Sequence, residues 1–293
     1  MPKSQPITDI VLDFDGTCTD IPAINEAFLD EYGLIFDKNV EPVSKSEWKS
    51  AQDEVMENSP NAGWMISGCP SAPAACDPYI LAFEAASLIL RKRKSTNTLP
   101  STLHHQANDK HPAPWRNDAA DVINKILDKG IELHFISNSS TKKIVERLHV
   151  LFGEGNPILK KISVQSGAAK FRISELPWET PDAYPNELIE KFKKLPASIS
   201  SNDLDRPIYL RRSFYFEAIA QVFKNDLTKL PSSVFCGDIW EMDHAMPYEL
   251  GASVHLIERE APYNTYDYER NMVESYGDRG KMSKQLSGVL DWL

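Results

Sequence analysis

The segment IVLDFDGT, residues 10–17, places a short apolar run directly before two aspartates and a Gly-Thr pair. The apolar run predicts a buried strand, and Gly16 predicts that the strand ends in a tight turn. Ligands of open α/β folds bind beyond the carboxyl ends of parallel strands. Residues two apart in an extended segment point to the same side, so Asp13 and Asp15 are predicted to face one pocket.

Two carboxylates in one pocket raise each other's pKa unless a cation or a hydrogen-bond donor compensates. Magnesium, which prefers oxygen ligands, would resolve this conflict. The segment alone leaves a second interpretation open, in which Asp15-Gly16 is only a turn and Asp13 only a cap.

The DFDGT part of this segment, residues 13–17, resembles the first motif of the haloacid-dehalogenase-like (HAD) superfamily. Most members of that superfamily are phosphatases. The resemblance predicts three further motifs downstream, in a fixed order.

Length, composition and charge favour a globular protein that does not bind nucleic acid. With 293 residues, 42% hydrophobic and 25% charged, the chain can form one large domain or a core with one insertion. Its net charge of −10 argues against binding to nucleic acid. No stretch approaches the roughly 18 apolar residues of a membrane span, and residues 1–6 lack the apolar part of a signal peptide. We therefore expect a cytoplasmic protein without a membrane partner, and no oligomeric state is predicted.

Two groups of potential metal ligands are not expected to bind metal. Cys69 and Cys76 lack the companion His or Cys pair of a zinc site. His104, His105 and His111 fall in a polar connector, for which a solvated loop is the favoured interpretation.

Helices and strands alternate from residue 117 onward, with a predicted helix at 118–128, a strand at 131–136, a helix at 141–152 and a strand at 161–165. Upstream, residues 34–115 show helical patches and no strand patterns. The first two predicted strands are thus separated by roughly a hundred residues, although such connections normally take a few residues and one helix.

This spacing predicts two domains. Residues 1–20 and 116–293 would form an α/β core, a Rossmann-like parallel sheet with helices on both faces. Residues 21–115 would form an inserted α-helical cap, at the position of the helical cap in many HAD members. The proline-rich stretch 174–207 is interpreted as a surface excursion with one helical piece.

Two later segments match the second and fourth motifs of the superfamily. Ser137 ends the strand at 131–136, and its hydroxyl, together with the neighbouring Asn138, could bind a phosphoryl group. A helix cap at that position is the alternative. Farther on, an apolar run ends in Gly-Asp at Asp238, and Asp243 follows five residues later.

The third motif is a cation that precedes a helix upstream of the fourth motif. Arg212 is the first candidate, Arg211 the second, and Lys170 a rival. A cation is needed to keep the nucleophile ionised and to offset phosphoryl charge. The family usually has Lys-Pro here, and Ser213 departs from that pattern.

The resemblance implies a magnesium-dependent phosphatase for a small phosphorylated metabolite. Asp13 would be the nucleophile, and Asp15 would serve as acid and then as base. Mg2+ would be held by Asp13, Asp238 and the main-chain carbonyl of Asp15, with Asp243 as a further ligand or as a partner of bound water.

The alternatives are a dehalogenase, a phosphotransferase or a non-catalytic binding protein on the same core. Resembling dehalogenases lack the second aspartate of the first motif, so Asp15 argues against that activity. A binding protein would be expected to have lost a motif carboxylate, and Asp13, Asp15 and Asp238 are all present.

Overall fold

The computed structural model describes residues 6–176 and 184–293, and its centre is a six-stranded parallel sheet in the order β10-β9-β8-β1-β4-β5. Two small antiparallel hairpins, β2–β3 and β6–β7, lie outside this sheet. The strands are β1 (Asp9–Leu12), β2 (Gly63–Ile66), β3 (Cys69–Pro73), β4 (Glu132–Ile136), β5 (Ile162–Gln165), β6 (Ser198–Ile199), β7 (Ile208–Tyr209), β8 (Ser233–Gly237), β9 (Ser253–Ile257) and β10 (Gly280–Ser283).

Helices pack on both faces of the sheet, as predicted. Ile10 and Leu12 of β1 point to one face, and Val11 points to the other, because side chains alternate along a strand. The first face packs against α5 and α6, whereas the second packs against α7 and α8. The helices are α1 (Asn25–Asn39), α2 (Lys45–Asn58), α3 (Pro78–Arg93), α4 (Thr102–Lys110), α5 (Ala119–Asp128), α6 (Thr141–Phe152), α7 (Asn186–Lys193), α8 (Ser213–Val222), α9 (Trp240–Asp243), α10 (Ala245–Glu249) and α11 (Asp267–Ser275).

The segment 21–115, which lies between β1 and α5, contains four helices, α1 to α4, and the hairpin β2–β3. Its buried side chains form a hydrophobic cluster that also includes Tyr263 from after β9. The hairpin corrects the expectation that residues 34–115 hold no strands. Its two strands, GWMI and CPSAP, show no clean alternation and include two prolines, so they lack the usual strand pattern.

The connector around the three histidines is also more ordered than expected. It contains helix α4, in which His104 packs edge-on against Phe28 and Tyr79. Burial lowers the pKa of His104 to about 4, so the ring is neutral near pH 7. A solvated loop was therefore the wrong interpretation for His104, which belongs to an aromatic cluster.

The proline-rich stretch is partly built into the core. Helix α7 buries Leu188 and Phe192 against the second face of the sheet, rather than lying only on the surface. Pro177 and Pro181 of this stretch lie outside the described residues. Within the described ranges, no helix combines the length and apolar character needed to cross a membrane.

Candidate active site

The three central strands of the sheet deliver the motif residues to one edge. β1 pairs in parallel with β4 on one side and with β8 on the other, with Leu12 opposite Phe135 and Cys236. The residues that follow these strands therefore meet beyond their carboxyl ends. This places Asp13 near Asp238.

Three carboxylates come together at this edge. Asp13, Asp238 and Asp243 each offer an oxygen atom, and these atoms lie within 4.8 Å of one another. Two glycines allow the close approach. A Cβ on Gly16 would lie 2.5 Å from Oδ2 of Asp238, and a Cβ on Gly237 would lie 2.4 Å from Oδ2 of Asp243. Gly16 also has a φ of +85°, which favours glycine.

Lys170 is the cation of the cluster. Its ammonium donates to Oδ1 of Asp13 at 2.7 Å and to Oδ1 of Asp243 at 2.8 Å, and its side chain is almost fully buried. It also lies over the ring of Tyr215, whose hydroxyl donates to the main-chain oxygen of Asp243. Lys170 thus links two of the three carboxylates.

Arg212 and Arg211 do not reach the cluster, which corrects their ranking above Lys170. The guanidinium of Arg212 is fully buried and donates to the main-chain oxygens of Lys170, Ser71 and Tyr209 and to the hydroxyl of Ser71. Burial lowers the pKa of Arg212 to about 10, against the pull of nearby carboxylates. Arg211 points outward to Glu175. The position of Arg212 before a helix therefore reflects a structural contact between β3 and the Lys170 loop.

Burial and charge set the electrostatics of the four groups. Burial raises the pKa of Asp13 to about 7, although Lys170 acts in the opposite direction. Burial, with Asp243 nearby, also raises the pKa of Asp238. For Asp243 the effect of burial is outweighed by Lys170, which lowers the pKa of this carboxyl. Burial disfavours the charged form of Lys170. The neighbouring carboxylates of Asp13 and Asp243 favour that form more strongly, so the pKa of Lys170 is raised.

Among the three carboxylates, Asp238 is the one whose negative charge is offset least by its neighbours. Its side chain accepts a 3.4 Å hydrogen bond from the hydroxyl of Thr17, and no ion pair to it occurs among the described residues. A buried carboxylate without a cation is costly. Within the described residues, Asp238 therefore lacks the ion-pair partner that Lys170 provides to Asp13 and Asp243.

The carboxyl of Asp15 turns away from this cluster. Its Oδ2 accepts a 2.5 Å hydrogen bond from the hydroxyl of Ser139, and the ammonium of Lys143 lies 3.1 Å from Oδ1 and 3.3 Å from Oδ2. Asp13 and Asp15 thus lie side by side in one loop but have different partners.

Ser137 and Asn138 lie where the motif predicts, at the end of β4. Ser137 is buried, and its hydroxyl accepts a hydrogen bond from the amide of Ser139. The side-chain oxygen of Asn138 accepts a 2.8 Å hydrogen bond from the amide of Lys170. Asn138 is thereby a support for the Lys170 loop, whereas the sequence analysis assigned it to substrate binding.

A buried ion pair contacts the main chain of the fourth motif. Arg259 donates to the main-chain oxygen of Asp238 and pairs with Glu269. Glu269 also accepts a hydrogen bond from the amide of Trp240 at 3.1 Å. Sequence reasoning missed these two residues because they follow β9 and have no local motif.

A pocket of about 90 Å³ opens beside Gly16 and Asp238. Residues of the 21–115 segment, among them Asp77, form part of its lining, and Arg116 and Arg259 contribute from the rest of the chain. Arg116 also donates to the main-chain oxygen of Gly16 at 2.8 Å. Gly16 of the first motif and Asp238 of the fourth therefore line one pocket.

Comparison of the fold with solved structures identifies its type. No family model matches the sequence, and no curated protein matches it. A structure described as a predicted phosphoglycolate phosphatase from Haemophilus somnus 129PT is 12% identical, with 97% of each chain covered and a TM-score of 0.51.

Two further structures are similar at lower scores. CbbY from Rhodobacter sphaeroides, in complex with phosphate, is 13% identical, with 97% of this chain and 96% of that chain covered and a TM-score of 0.48. A HAD phosphatase from Thermococcus onnurineus is 12% identical, with 97% of each chain covered and a TM-score of 0.47. The chain shares its fold with the structure from Haemophilus somnus, and its six-stranded parallel sheet with helices on both faces confirms the predicted fold class.

Proposed function

We propose that this protein is a magnesium-dependent phosphatase that hydrolyses a small phosphate monoester. The observation that carries the proposal is the contact of Lys170 with both Asp13 and Asp243, beside a third carboxylate, Asp238, that has no ion pair among the described residues. The arrangement provides a nucleophile, a fixed positive charge and an oxygen-rich position for a metal ion. The structure from Haemophilus somnus, with the same fold, is described as a predicted phosphoglycolate phosphatase, which agrees with this reaction.

The residues present fit a magnesium ion. Asp13 and Asp238 would hold it, with the main-chain carbonyl of Asp15 as a further ligand and Asp243 beside them. The poorly compensated charge of Asp238 supports this fit, because a cation would offset the cost of its burial. When bound, Mg2+ would neutralise charge on the phosphoryl group and on the carboxylates.

The reaction would proceed in two steps. In the first, an oxygen of Asp13 attacks phosphorus, the bond to the ester oxygen breaks, and Asp15 protonates the leaving oxygen. In the second, water attacks the aspartyl-phosphate, gives a proton to Asp15 and releases phosphate and the free Asp13 carboxylate. Lys170 holds Asp13 in position throughout both steps.

The segment 21–115 would act as a cap that sets substrate preference. This proposal rests on the residues that this segment contributes to the pocket beside Gly16, among them Asp77. Substitutions in this pocket lining would change the ranking of substrates more than the rate with a small generic ester.

Metal dependence is the first testable prediction. Removal of divalent ions with EDTA should reduce hydrolysis of an aryl phosphate to background, and added Mg2+ should restore it. Mg2+ should also raise the melting temperature of the stripped protein, because a ligand that binds only the folded state stabilises it.

An Asp238→Asn variant provides the matched comparison, since it removes the negative charge of one proposed ligand and keeps the size of the side chain. Its melting temperature should respond less to Mg2+. Full activity of the metal-stripped protein would contradict the proposed role of Asp238.

A further inference from the structure

The carboxyl group of Asp15 is held on one side by residues of the β4–α6 connection and of α6. Ser139 donates to Oδ2, and Lys143 donates to both carboxyl oxygens and to the hydroxyl of Ser139 at 3.2 Å. These contacts are formed although Asp15 and Lys143 are 128 residues apart in the chain. They form a closed triangle of three side chains.

Lys143 is held by its surroundings and is unlike an ordinary surface lysine. Helix α6 begins after Ser140, whose side chain caps the amide of Lys143, so the lysine lies in the first helical turn and next to the end of β4. Its side chain is 25% exposed, and its ammonium lies 5.9 Å from the centre of the Phe14 ring. The neighbouring Lys142 is 83% exposed and pairs with Glu146 on the same helix.

The other cations near this edge have different partners. Lys170 serves Asp13 and Asp243, and Arg147 donates to the main-chain oxygen of Ala113. Among the ion pairs of the described residues, Lys143 is the partner of Asp15. Loss of Lys143 would therefore leave Ser139 as the side chain that orients Asp15.

We propose that Lys143 is a positioning residue that aims the Asp15 carboxylate at the water molecule of the second step. This inference rests on the proposed phosphatase function. A carboxylate has about four lone-pair sites. Within the described ranges, Oδ2 accepts two hydrogen bonds and Oδ1 accepts one, which leaves Oδ1 with the most room for a further proton.

The step that depends on this orientation is hydrolysis of the aspartyl-phosphate. Water attacks phosphorus while Oδ1 of Asp15 takes its proton, the bond between phosphorus and Asp13 breaks with its electron pair on Asp13, and phosphate leaves. Misplacement of the base by about 1 Å can cost on the order of a hundred-fold in rate. Formation of the intermediate from an aryl phosphate depends less on Asp15, because the aryl oxygen leaves with little protonation.

The test compares Lys143→Met, Lys143→Arg and Lys142→Met with the parent protein, with an aryl phosphate and Mg2+. In Lys143→Met we expect a burst of the phenol product followed by a steady state about 10- to 100-fold slower. The phosphoryl group should accumulate on the peptide that contains Asp13. Lys143→Arg should regain part of the steady-state rate, and Lys142→Met should behave like the parent protein.

The outcomes separate this inference from the proposed function. If the parent protein hydrolyses the ester and Lys143→Met shows neither a burst nor a lower kcat, the inference is wrong. A rise in KM at unchanged kcat would also overturn it, since Lys143 would then bind substrate. Equal slowing of burst and steady state, without rescue by arginine, would indicate a structural role. If the parent protein shows no hydrolysis with Mg2+, the proposed function itself fails.

Discussion

Asp13→Asn is expected to lower kcat/KM for any phosphate ester by at least about 10⁴-fold, because the variant lacks the nucleophile. The amide has nearly the same shape, and Lys170 keeps its contact with Asp243. The loss should therefore come from the chemistry and not from the fold. Steady-state kinetics and circular dichroism of the same samples check both points.

A matched control for this variant is Asp121→Asn on α5, which changes an exposed carboxylate far from the motifs in the chain. It should retain the activity of the parent protein. An Asp13→Asn variant that keeps more than about a tenth of the parent activity would exclude Asp13 as nucleophile.

Lys170→Met is the second change with a large expected effect. It removes the charge that lies 2.7 Å from Asp13 and 2.8 Å from Asp243, and so leaves these two carboxylates without their ion-pair partner. Loss of one side of such a pair costs about 3–5 kcal/mol of unfolding free energy. Turnover of the folded fraction should fall by about 10²- to 10³-fold, as for loss of one preorganised donor.

Arg212→Met is the comparison for this variant, because Arg212 is equally buried but touches none of the three carboxylates. The Arg212→Met protein should be less stable, because the oxygens of Ser71 and Lys170 lose their hydrogen-bond donor. Each unsatisfied oxygen should lower the free energy of unfolding by about 1–3 kcal/mol. Its folded fraction should keep turnover within about ten-fold of the parent protein. Urea unfolding measures the stability of both variants, and kcat measures their turnover. A lower kcat in Arg212→Met than in Lys170→Met would assign the role of the motif cation to Arg212.

The α/β core could be predicted from the sequence because its signals are local. Three segments rich in apolar residues end just before Asp13, Ser137 and Asp238, and each contains a strand of the central sheet. A strand that ends in a polar turn can be recognised from neighbouring residues alone, without knowledge of contacts distant in sequence. The order of these segments carried the resemblance to the HAD superfamily.

The cationic side chains of the site could not be predicted in the same way. Lys170 and Lys143 contact Asp13 and Asp15 across more than a hundred residues of chain, and no local pattern marks such contacts. Arg212 has the more suitable local context before helix α8, yet its side chain turns to Ser71 of β3. The hairpin that contains Ser71 was itself missed, so its partner could not be inferred.

The most direct test of the central claim is mass analysis of an Asp15→Asn protein after reaction with an aryl phosphate and Mg2+. The first step needs little help from Asp15 with this leaving group, whereas the second needs its base, which is worth about 10²- to 10⁴-fold. The account predicts that one phosphoryl group accumulates on the peptide that contains Asp13. Normal turnover by Asp15→Asn, or a phosphoryl group on any other residue, would contradict it.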